Sequence, residues 1–312
     1  MTTAELYAEF AVREARGISP TYAALAHAVS EDSHLLAFLA ALPEAKRQPN
    51  LLFGVVRFLG GPVEDPAAFG EFVAANAGAV AAQMRVRATQ TNEAGRCAAL
   101  LPVLAGLPQP LALLEVGASA GLCLYPDRYS YRYGDLALGT GGPVLDCAAT
   151  GFTPPAALPQ VVWRAGLDLN PLDVTDPDDV AWLDALIWPE HAHRRDRLRA
   201  AAAVAAADPP RLIRGDLVED LPGLAALAPA GATLVVFHTS VLYQVPMPHR
   251  RAFVSLVGDL PGHWISNESP ETLPRVDLPE PPGGNLYNLL ALDGRPLAWT
   301  RSHGQEMVWL AA

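Results

Sequence analysis

The sequence has few cations and few cysteines for its length. Lys and Arg number 22 against 33 Asp and Glu, which gives a formal net charge of −11 over 312 residues. A nucleic-acid-binding face needs clustered Lys and Arg to neutralise phosphates, so we expect no nucleic-acid partner. The cysteines are Cys97, Cys123 and Cys147, and their wide spacing indicates neither a disulfide framework nor a metal site. This cysteine usage fits a reducing, cytoplasmic compartment.

The chain also lacks a long, uninterrupted apolar segment. Its longest apolar stretch, Cys97 to Val116, is broken by Pro102, Pro108 and Pro110, which argues against a membrane span. The first residues carry acids early and contain no apolar signal-peptide core, so we expect no secretory signal. Hydrophobic residues still make up 51% of the chain, which is enough for a large folded core.

The most distinctive stretch that is present is LALLEVGASAGLCL, at residues 111–124. An apolar run reaches Glu115, and Gly117, Ser119 and Gly121 then alternate with small residues, as in a buried strand, a tight turn and a helix start. Glycines let a ligand approach the backbone, and free N–H groups at a helix start favour an anionic or electron-rich ligand. Glu115 can accept a hydrogen bond from the same ligand. The stretch predicts a nucleotide-type cofactor turn in an α/β fold.

Two other interpretations of the turn stay open. Ser119 stands where a dinucleotide fingerprint has its middle glycine, and the turn also matches G-x-S-x-G, the nucleophile elbow of serine hydrolases. Asp216 with His238 or His303 would then complete a triad in the required chain order. Against this, no H-G-G-G segment precedes Ser119, and the strand that leads into the turn is the first predicted strand, whereas the hydrolase fold has several strands before its elbow. A tight turn that binds no ligand is the third interpretation.

Residues 1–108 are predicted to form an all-helical N-terminal domain, because their apolar residues recur at helical spacing without strand-like alternation. Within this part, the segment Gln90 to Arg96 leads towards the first strand. Helix capping explains its polar residues, and the functional alternative is that it closes over the cofactor turn, with Asn92 among the cofactor-binding residues. Residues 109–312 are assigned to the sheet-bearing domain.

The order of elements after the turn predicts a Rossmann-like α/β sheet. Residues 129–160 contain alternating tyrosines and many turn residues, which indicates a β-hairpin-like insertion. A second strand then ends at Asp168, which lies 53 positions after Glu115, whereas a minimal unit places its acid roughly 20 residues after the glycine turn. Asp135, at 20 positions, is the competing ribose ligand if the tyrosine strand is itself the second strand.

The remaining elements follow from caps and apolar runs. A helix capped by Asp176, with Pro177 at its first position, comes next. The further elements expected are a strand ending near Asp216, a buried strand over 232–241 containing His238, a helix over 248–260, a strand over 263–267, and two closing antiparallel strands, Asn285 to Asp293 and Leu297 to Leu310.

Acidic side chains therefore end successive predicted strands, at Glu115, Asp168 and Asp216, and His238 ends the next. In an open parallel sheet these ends line one crevice where ligands bind. Three carboxylates suit a ligand with an amino-acid end, a ribose and an adenine amine, and S-adenosylmethionine has all three. The closing antiparallel strands favour that fold over a dinucleotide-binding one.

Most of the chain, from about residue 10 to its end, resembles an uncharacterised bacterial domain-of-unknown-function family. The resemblance rests on the joined motifs TNEAGR, LLEVGASAGL, DRYSYRYG, GLDLNPLDVTDPDDVAWL and VVFHTSVL. The family looks like the class I S-adenosylmethionine-dependent methyltransferases in its fold. This likeness implies that Glu115, Gly117, Ser119 and Gly121 form the cofactor turn, that Asp168 holds the ribose and that Asp216 holds the adenine. Ser119 departs from the glycine more usual in methyltransferases.

The expected activity is methyl transfer from S-adenosylmethionine to a small-molecule acceptor. His238 is the expected general base, since an unperturbed histidine titrates near neutrality, and a histidine satisfied inside the core is its alternative. Tyr129, Tyr131 and Tyr243 are expected to line the acceptor pocket, or to serve packing. The alternative functions are a serine esterase that uses Ser119 and a non-catalytic nucleotide-binding protein on the same scaffold. The sequence predicts no oligomeric state.

Overall fold

The computed structural model describes residues 1–272, 280–283 and 287–310. Its α-helices, numbered in chain order, are α1 (Thr3–Phe10), α2 (Pro20–Glu31), α3 (Ser33–Ala40), α4 (Pro49–Phe58), α5 (Pro66–Ala75), α6 (Ala77–Val86), α7 (Cys97–Gly106), α8 (Pro177–Leu186), α9 (Ala192–Ala207), α10 (Leu221–Ala225) and α11 (Met247–Asp259). Among the described residues, no helix combines the length and the apolarity that a bilayer crossing needs.

The strands are β1 (Leu111–Val116), β2 (Ser130–Tyr133), β3 (Leu136–Leu138), β4 (Val144–Asp146), β5 (Ala148–Thr150), β6 (Val161–Asp168), β7 (Arg211–Arg214), β8 (Thr233–Thr239), β9 (His263–Glu268), β10 (Tyr287–Leu292), β11 (Arg295–Arg301) and β12 (Glu306–Trp309). The fold is therefore mixed α/β, as the sequence predicts.

The chain divides into two compact units. One comprises residues 1–91 and 176–196, and the other comprises 92–175 and 197–312. The sequence-based boundary at 108 differs from this division, which assigns residues 92–108 to the sheet unit and residues 176–196 to the helical unit. Tertiary packing explains the second difference, because α8 packs so closely on α4 that a Cβ atom on Gly54 would lie 2.9 Å from Cδ2 of Leu186.

The helical unit is built from α1–α6 and α8 around one aromatic cluster. Phe53 contacts the rings of Tyr7, Phe10, Tyr22 and Phe69, with centroids 4.9–6.1 Å apart. Burying several rings together contributes both apolar area and edge-to-face contacts.

Local capping rules account for where several helices of this unit begin. The predicted start of α8 is confirmed: Pro177 is at its first position, and the carboxylate of Asp176 accepts the backbone N–H of Asp178. The same pairing of a polar cap with proline begins α2, after Ser19, and α5, after Asp65.

The other unit contains a nine-stranded sheet in the order β5-β12-β11-β10-β9-β8-β1-β6-β7. The five strands β7, β6, β1, β8 and β9 are parallel. The pairs β9–β10, β10–β11 and β11–β12 are antiparallel, and β5 pairs parallel with β12 at the edge. The strand order reverses between β1 and β8, because the chain adds β6 and β7 on one side and then returns to the other. Apolar side chains of these strands pack against α10 and α11, with Phe253 and Val257 in the core.

The tyrosine-rich insertion forms a second, three-stranded sheet in the order β3-β2-β4, and β5 joins the edge of the large sheet next to β12. The prediction of a β insertion is confirmed in outline. The single closing strand predicted over 297–310 is instead two strands, β11 and β12, separated by a turn. Asn285, the predicted start of the preceding strand, lies outside the described residues.

The helix predicted to begin directly after the glycine turn is absent. Residues 117–121 lead only into the single 3-10 turn Leu122–Leu124, and no described α-helix begins there. Pro126 lacks an N–H and disfavours helical geometry in the residue before it. The hydroxyl of Tyr129 donates to the carbonyl of Leu122, so a tertiary contact takes up a carbonyl that a helix would use.

Candidate functional site

The carboxyl ends of the parallel strands share one edge of the large sheet, which we call the carboxyl edge. Acidic residues lie at or just beyond four of these ends: Glu115 in β1, Asp168 in β6, Asp216 after β7, and Glu268 in β9. The first three were predicted from the sequence. Open α/β sheets bind ligands at this edge, near the point where the strand order reverses.

The turn after β1 is tightly packed by the protein itself. Gly117 and Gly121 have φ angles of +70° and +71°. A Cβ atom on Gly117 would overlap Cγ2 of Val241, and one on Gly121 would lie 3.0 Å from Cγ of Pro210. Both glycines are therefore required by backbone conformation and by neighbouring side chains.

Asn92 bridges the two ends of this turn. Its Nδ2 donates to the carbonyl of Ala118 at 3.0 Å, and its Oδ1 accepts the backbone N–H of Leu122 at 3.0 Å. The cap that follows is formed by Glu93, whose Oε1 accepts the N–H of Gly95 at 3.0 Å. The segment before α7 thus contacts the turn directly, and Asn92 fixes the shape of the turn.

Asp168 connects the turn to the loop after β6. Its Oδ2 accepts the backbone N–H of Ser119 at 2.7 Å, and its Oδ1 accepts that of Asn170 at 2.7 Å. Each oxygen retains a second lone pair that can accept from a ligand. The strand beside β1 is β6, so its terminal acid is Asp168, whereas Asp135 is exposed in the turn between β2 and β3.

Asp216 holds a histidine that the sequence analysis missed. Both of its carboxylate oxygens lie 2.8 Å from Nε2 of His249, in α11, and Oδ1 also accepts the N–H groups of Val218 and Glu219. Burial alone would raise the pKa of Asp216, but the bond from Val218, the contact with His249 and the bond from Glu219 outweigh it and lower the pKa. An acid in a strand-end loop and a histidine 33 residues later gave no sequence signal of this pairing.

Glu115 is nearly inaccessible, with 2% of its surface exposed. Its Oε2 has no hydrogen-bond partner among the described residues. Burial raises the pKa of Glu115 well above its usual value, the nearby Cys123 thiol adds to the rise, and the charge of Arg96 opposes it. Burial therefore favours the neutral form of this carboxyl group.

Arg96 is anchored at the end of the neighbouring strand β8. Its Nη1 donates to the carbonyl and the hydroxyl of Thr239 at 2.9 and 3.1 Å, and its Nε donates to the carbonyl of Ser302 at 2.9 Å. These bonds hold a buried guanidinium beside the point where the strand order reverses.

His238, the expected general base, is fully buried and bonded through both ring nitrogens. Its Nδ1 lies 2.7 Å from Oε1 of Glu268, and the indole N–H of Trp264 donates to its Nε2 at 3.0 Å. Because an indole can only donate, Nε2 must carry a lone pair, and the ring is the neutral tautomer with its proton on Nδ1. This is the arrangement of a core histidine. The role of general base stays a prediction, and the observed bonds do not favour it.

Glu268 is a second buried acid that the sequence analysis missed. Its Oε1 also accepts the backbone N–H of Val241 at 2.8 Å, while its Oε2 has no partner among the described residues. Glu268 is the last residue of β9, so it follows the same pattern as Glu115, Asp168 and Asp216, which lie at or just beyond strand ends. This pattern could have identified Glu268 from the sequence.

The residues of the alternative interpretations are also placed. Ser119 is buried at a φ of +52°, a strained position like that of a nucleophile elbow, but no α-helix in the described part of the chain begins directly after it. Tyr129 and Tyr131 are buried and donate to backbone carbonyls, and Tyr243 is 61% exposed. Packing and hydrogen bonding thus account for Tyr129 and Tyr131.

No group of three or more metal-ligating side chains occurs in the part of the chain that the structure describes.

Searches of curated proteins and of solved structures found no match. The model of one family matches residues 4–309, and it is described as "Uncharacterized protein conserved in bacteria (DUF2332)". The predicted membership of a bacterial family of this kind is confirmed. The chain belongs to the DUF2332 family.

Proposed function

We propose that this protein binds S-adenosylmethionine at the carboxyl edge and methylates a small molecule, in a Rossmann-like fold of the class I methyltransferase type. One observation carries the proposal: acidic side chains end or follow three adjacent parallel strands, β1, β6 and β7, around a tight turn. The parallel strands lie in the order β7-β6-β1-β8-β9, which reverses between β1 and β8. Open α/β folds with such a reversal bind nucleotides at the carboxyl edge of the sheet.

The residues at the edge fit such a ligand in part. Glu115 has a buried oxygen without a partner, which suits a donor such as an ammonium group. Asp168 keeps lone pairs for ribose hydroxyls. Asp216 is already bonded to His249, so an adenine amine would have to share the Asp216 carboxylate with the histidine or displace the histidine. Because no α-helix of the described residues begins directly after the turn, the fit relies on carboxylates and not on a helix dipole.

S-adenosylmethionine would supply an electrophilic methyl group to a nucleophile. The contribution of this chain would be to align the partners and to exclude water, which can account for a large part of the barrier reduction in a bimolecular transfer. Packing next to the turn supports this role: the partly buried Val241 lies against Gly117, and the neighbouring Leu242 is part of the hydrophobic core.

Calorimetric titration with S-adenosylmethionine and S-adenosylhomocysteine tests the binding step. We expect saturable binding by the natural chain, and Asp168→Asn should weaken it by about tenfold or more, since it removes the charge from one or two hydrogen bonds. Asp135→Asn, which neutralises an exposed carboxylate in the β insertion, is the control and should bind as the natural chain does. Absence of heat with both ligands at millimolar concentration would overturn the proposal.

The strained φ of Ser119 supports a second candidate, an esterase that uses this serine as its nucleophile. A fluorophosphonate probe should then label the natural chain and not Ser119→Ala. A protein that binds S-adenosylmethionine but transfers labelled methyl to nothing in a pool of small molecules would instead be a non-catalytic binding protein. The three outcomes are mutually distinguishable.

A further inference from the structure

Glu268, the last residue of β9, is fully buried and has one oxygen without a partner. Its Oε1 accepts the backbone N–H of Val241 at 2.8 Å and lies 2.7 Å from Nδ1 of His238. Its Oε2 has no hydrogen-bond partner among the described residues. Buried polar atoms are nearly always paired, so an unpaired oxygen at the edge where α/β sheets bind ligands indicates a ligand.

The observed partners of this carboxyl group carry no positive charge. Trp264 donates to Nε2 of His238, which keeps the histidine neutral, and the other partner is the backbone amide of Val241. A carboxylate taken out of water needs a cation beside it to be stable. A ligand with an ammonium group would supply both the hydrogen-bond donor and the charge that Glu268 lacks.

Glu268 is connected to the turn after β1, but on the side of β8 and β9, away from the acids of β6 and β7. Val241 makes the connection, because its backbone bonds to Glu268 and its side chain fills the space next to Gly117. Tyr243, two residues further along the same loop, is 61% exposed, so the loop that covers the carboxyl group also reaches solvent. A second ligand here would lie beside a nucleoside held at β6 and β7.

The loops that follow β8 and β9 are joined by Arg250 of α11. Its Nη2 donates to the carbonyl of Val245 at 3.1 Å, and its Nη1 donates to that of Thr272 at 3.2 Å. Nε of Arg250 is a second buried atom without a partner among the described residues. Ser240, in the loop after β8, has a φ of +55°, which is strained for a residue with a side chain. Unpaired polar atoms and backbone strain around the same loops are typical of a functional site.

We propose that Glu268 binds the methyl acceptor and that the acceptor is a small primary or secondary amine. The ammonium form of the acceptor donates to Oε2 and passes a proton to it, which leaves a neutral amine with a free electron pair. This pair forms the new N–C bond as the C–S bond of S-adenosylmethionine breaks, and the electrons of the broken bond stay on sulfur. Glu268 then loses its proton to solvent. The inference rests on the proposed function and deepens it by naming the class of acceptor.

Amines and alcohols of the same skeleton provide the test. Methyl transfer from radiolabelled S-adenosylmethionine is measured with benzylamine, cyclohexylamine and putrescine, and with the alcohols that match them. We expect transfer to amines and not to alcohols. Glu268→Gln keeps an oxygen that can accept from Val241 and His238, but places an amide where the ligand donates. It should lower kcat/KM for the amines by about a hundredfold or more, as loss of a proton-accepting group does, while calorimetry shows unchanged affinity for S-adenosylhomocysteine.

Glu219→Gln, at an exposed position in the loop after β7, is the matched control and should change neither transfer nor binding. If Oε2 meets only a buried water, Glu268→Gln will methylate amines as the natural chain does, which would overturn the amine site. Methylation of alcohols as fast as amines, or of no amine in the set, by a chain that binds S-adenosylhomocysteine would also overturn it and leave cofactor binding standing. Failure of the natural chain to bind S-adenosylhomocysteine and S-adenosylmethionine would overturn the proposed function and this inference together.

Discussion

Val241 occupies the space that a side chain at position 117 would need: a Cβ atom on Gly117 would overlap its Cγ2 and lie 2.8 Å from its Cγ1. The contact joins the loop after β8 to the turn after β1, across the reversal in strand order. Val241 is itself held by Glu268, whose Oε1 accepts its backbone N–H. Protein packing therefore explains Gly117 without a ligand. A ligand at this turn would have to bind beside the contact with Val241.

Gly117→Ala should destabilise the protein by about 2–4 kcal/mol, because a φ of +70° and the overlap with Val241 both act against it. The control is Gly134→Ala, where φ is +59° but nothing lies within 4 Å, so that only the conformational strain remains. Adding Val241→Ala to Gly117→Ala should recover part of the loss if overlap is the cause. Urea unfolding of the natural chain and of these three variants measures each contribution, and equal effects of the two glycine substitutions would contradict the packing explanation.

His238→Ala should unfold or strongly destabilise the protein, by about 3 kcal/mol or more, because the indole N–H of Trp264 loses its acceptor and Glu268 loses its hydrogen bond to the ring. Trp264→Phe removes only one donor and should cost about 1–2 kcal/mol. Thermal unfolding together with any measured methyl transfer separates the roles. A fully stable His238→Ala chain that has lost activity would instead support the histidine as a general base.

Asp216 should make the protein less stable in acid. Its folded-state pKa is lowered, so its stabilising bonds are complete above the pKa of an unfolded Asp, about 3.9, and are lost as pH falls through the folded value. Asp216→Asn should therefore lower the melting temperature near neutral pH and reduce its fall between about pH 5 and pH 3. Asp135→Asn, at an exposed position, should leave the pH profile unchanged. Parallel profiles for the natural chain and Asp216→Asn would contradict the assignment.

Asn92→Ala should loosen the turn after β1, at a cost of about 1–2 kcal/mol, since it removes one donor and one acceptor to the backbone. Asn92→Asp keeps the acceptor for Leu122 and loses the donor to Ala118, so its stability should lie between that of the natural chain and that of Asn92→Ala. If the turn also forms the ligand site, affinity for S-adenosylhomocysteine should fall in the same order. Hydrogen exchange at Leu122 measures the local loosening directly.

Local rules and periodicity predicted much of the architecture. Asp176 and Pro177 begin α8 because a cap and a proline act within one turn of chain. Residues 233–239 form a buried strand, as a short apolar run rich in β-branched residues favours. The acids at Glu115, Asp168 and Asp216 fall at or beyond strand ends for the same reason: each apolar run stops there.

The same local rules failed where distant residues compete for the backbone. The small residues from Gly117 onward predict a helix start, but the following segment is taken up by the tyrosine-rich insertion, whose hydroxyls donate to carbonyls near the turn. The assignment of residues 176–196 to the helical unit could not be predicted from the sequence either, because it depends on how α8 packs against α4.

The sequence by itself determined the α/β class, the membership of a bacterial family and the chain positions of three strand-end acids. Only the tertiary structure decided the surroundings of these groups. Asp216 bonds to a histidine from α11, Glu115 is buried with one oxygen that has no partner among the described residues, and His238 bonds to a carboxyl group and an indole from β9. The reason is physical. Strand and cap formation depend on residues a few positions apart, whereas the charge and hydrogen-bonding state of a buried group depend on whatever the fold brings beside it.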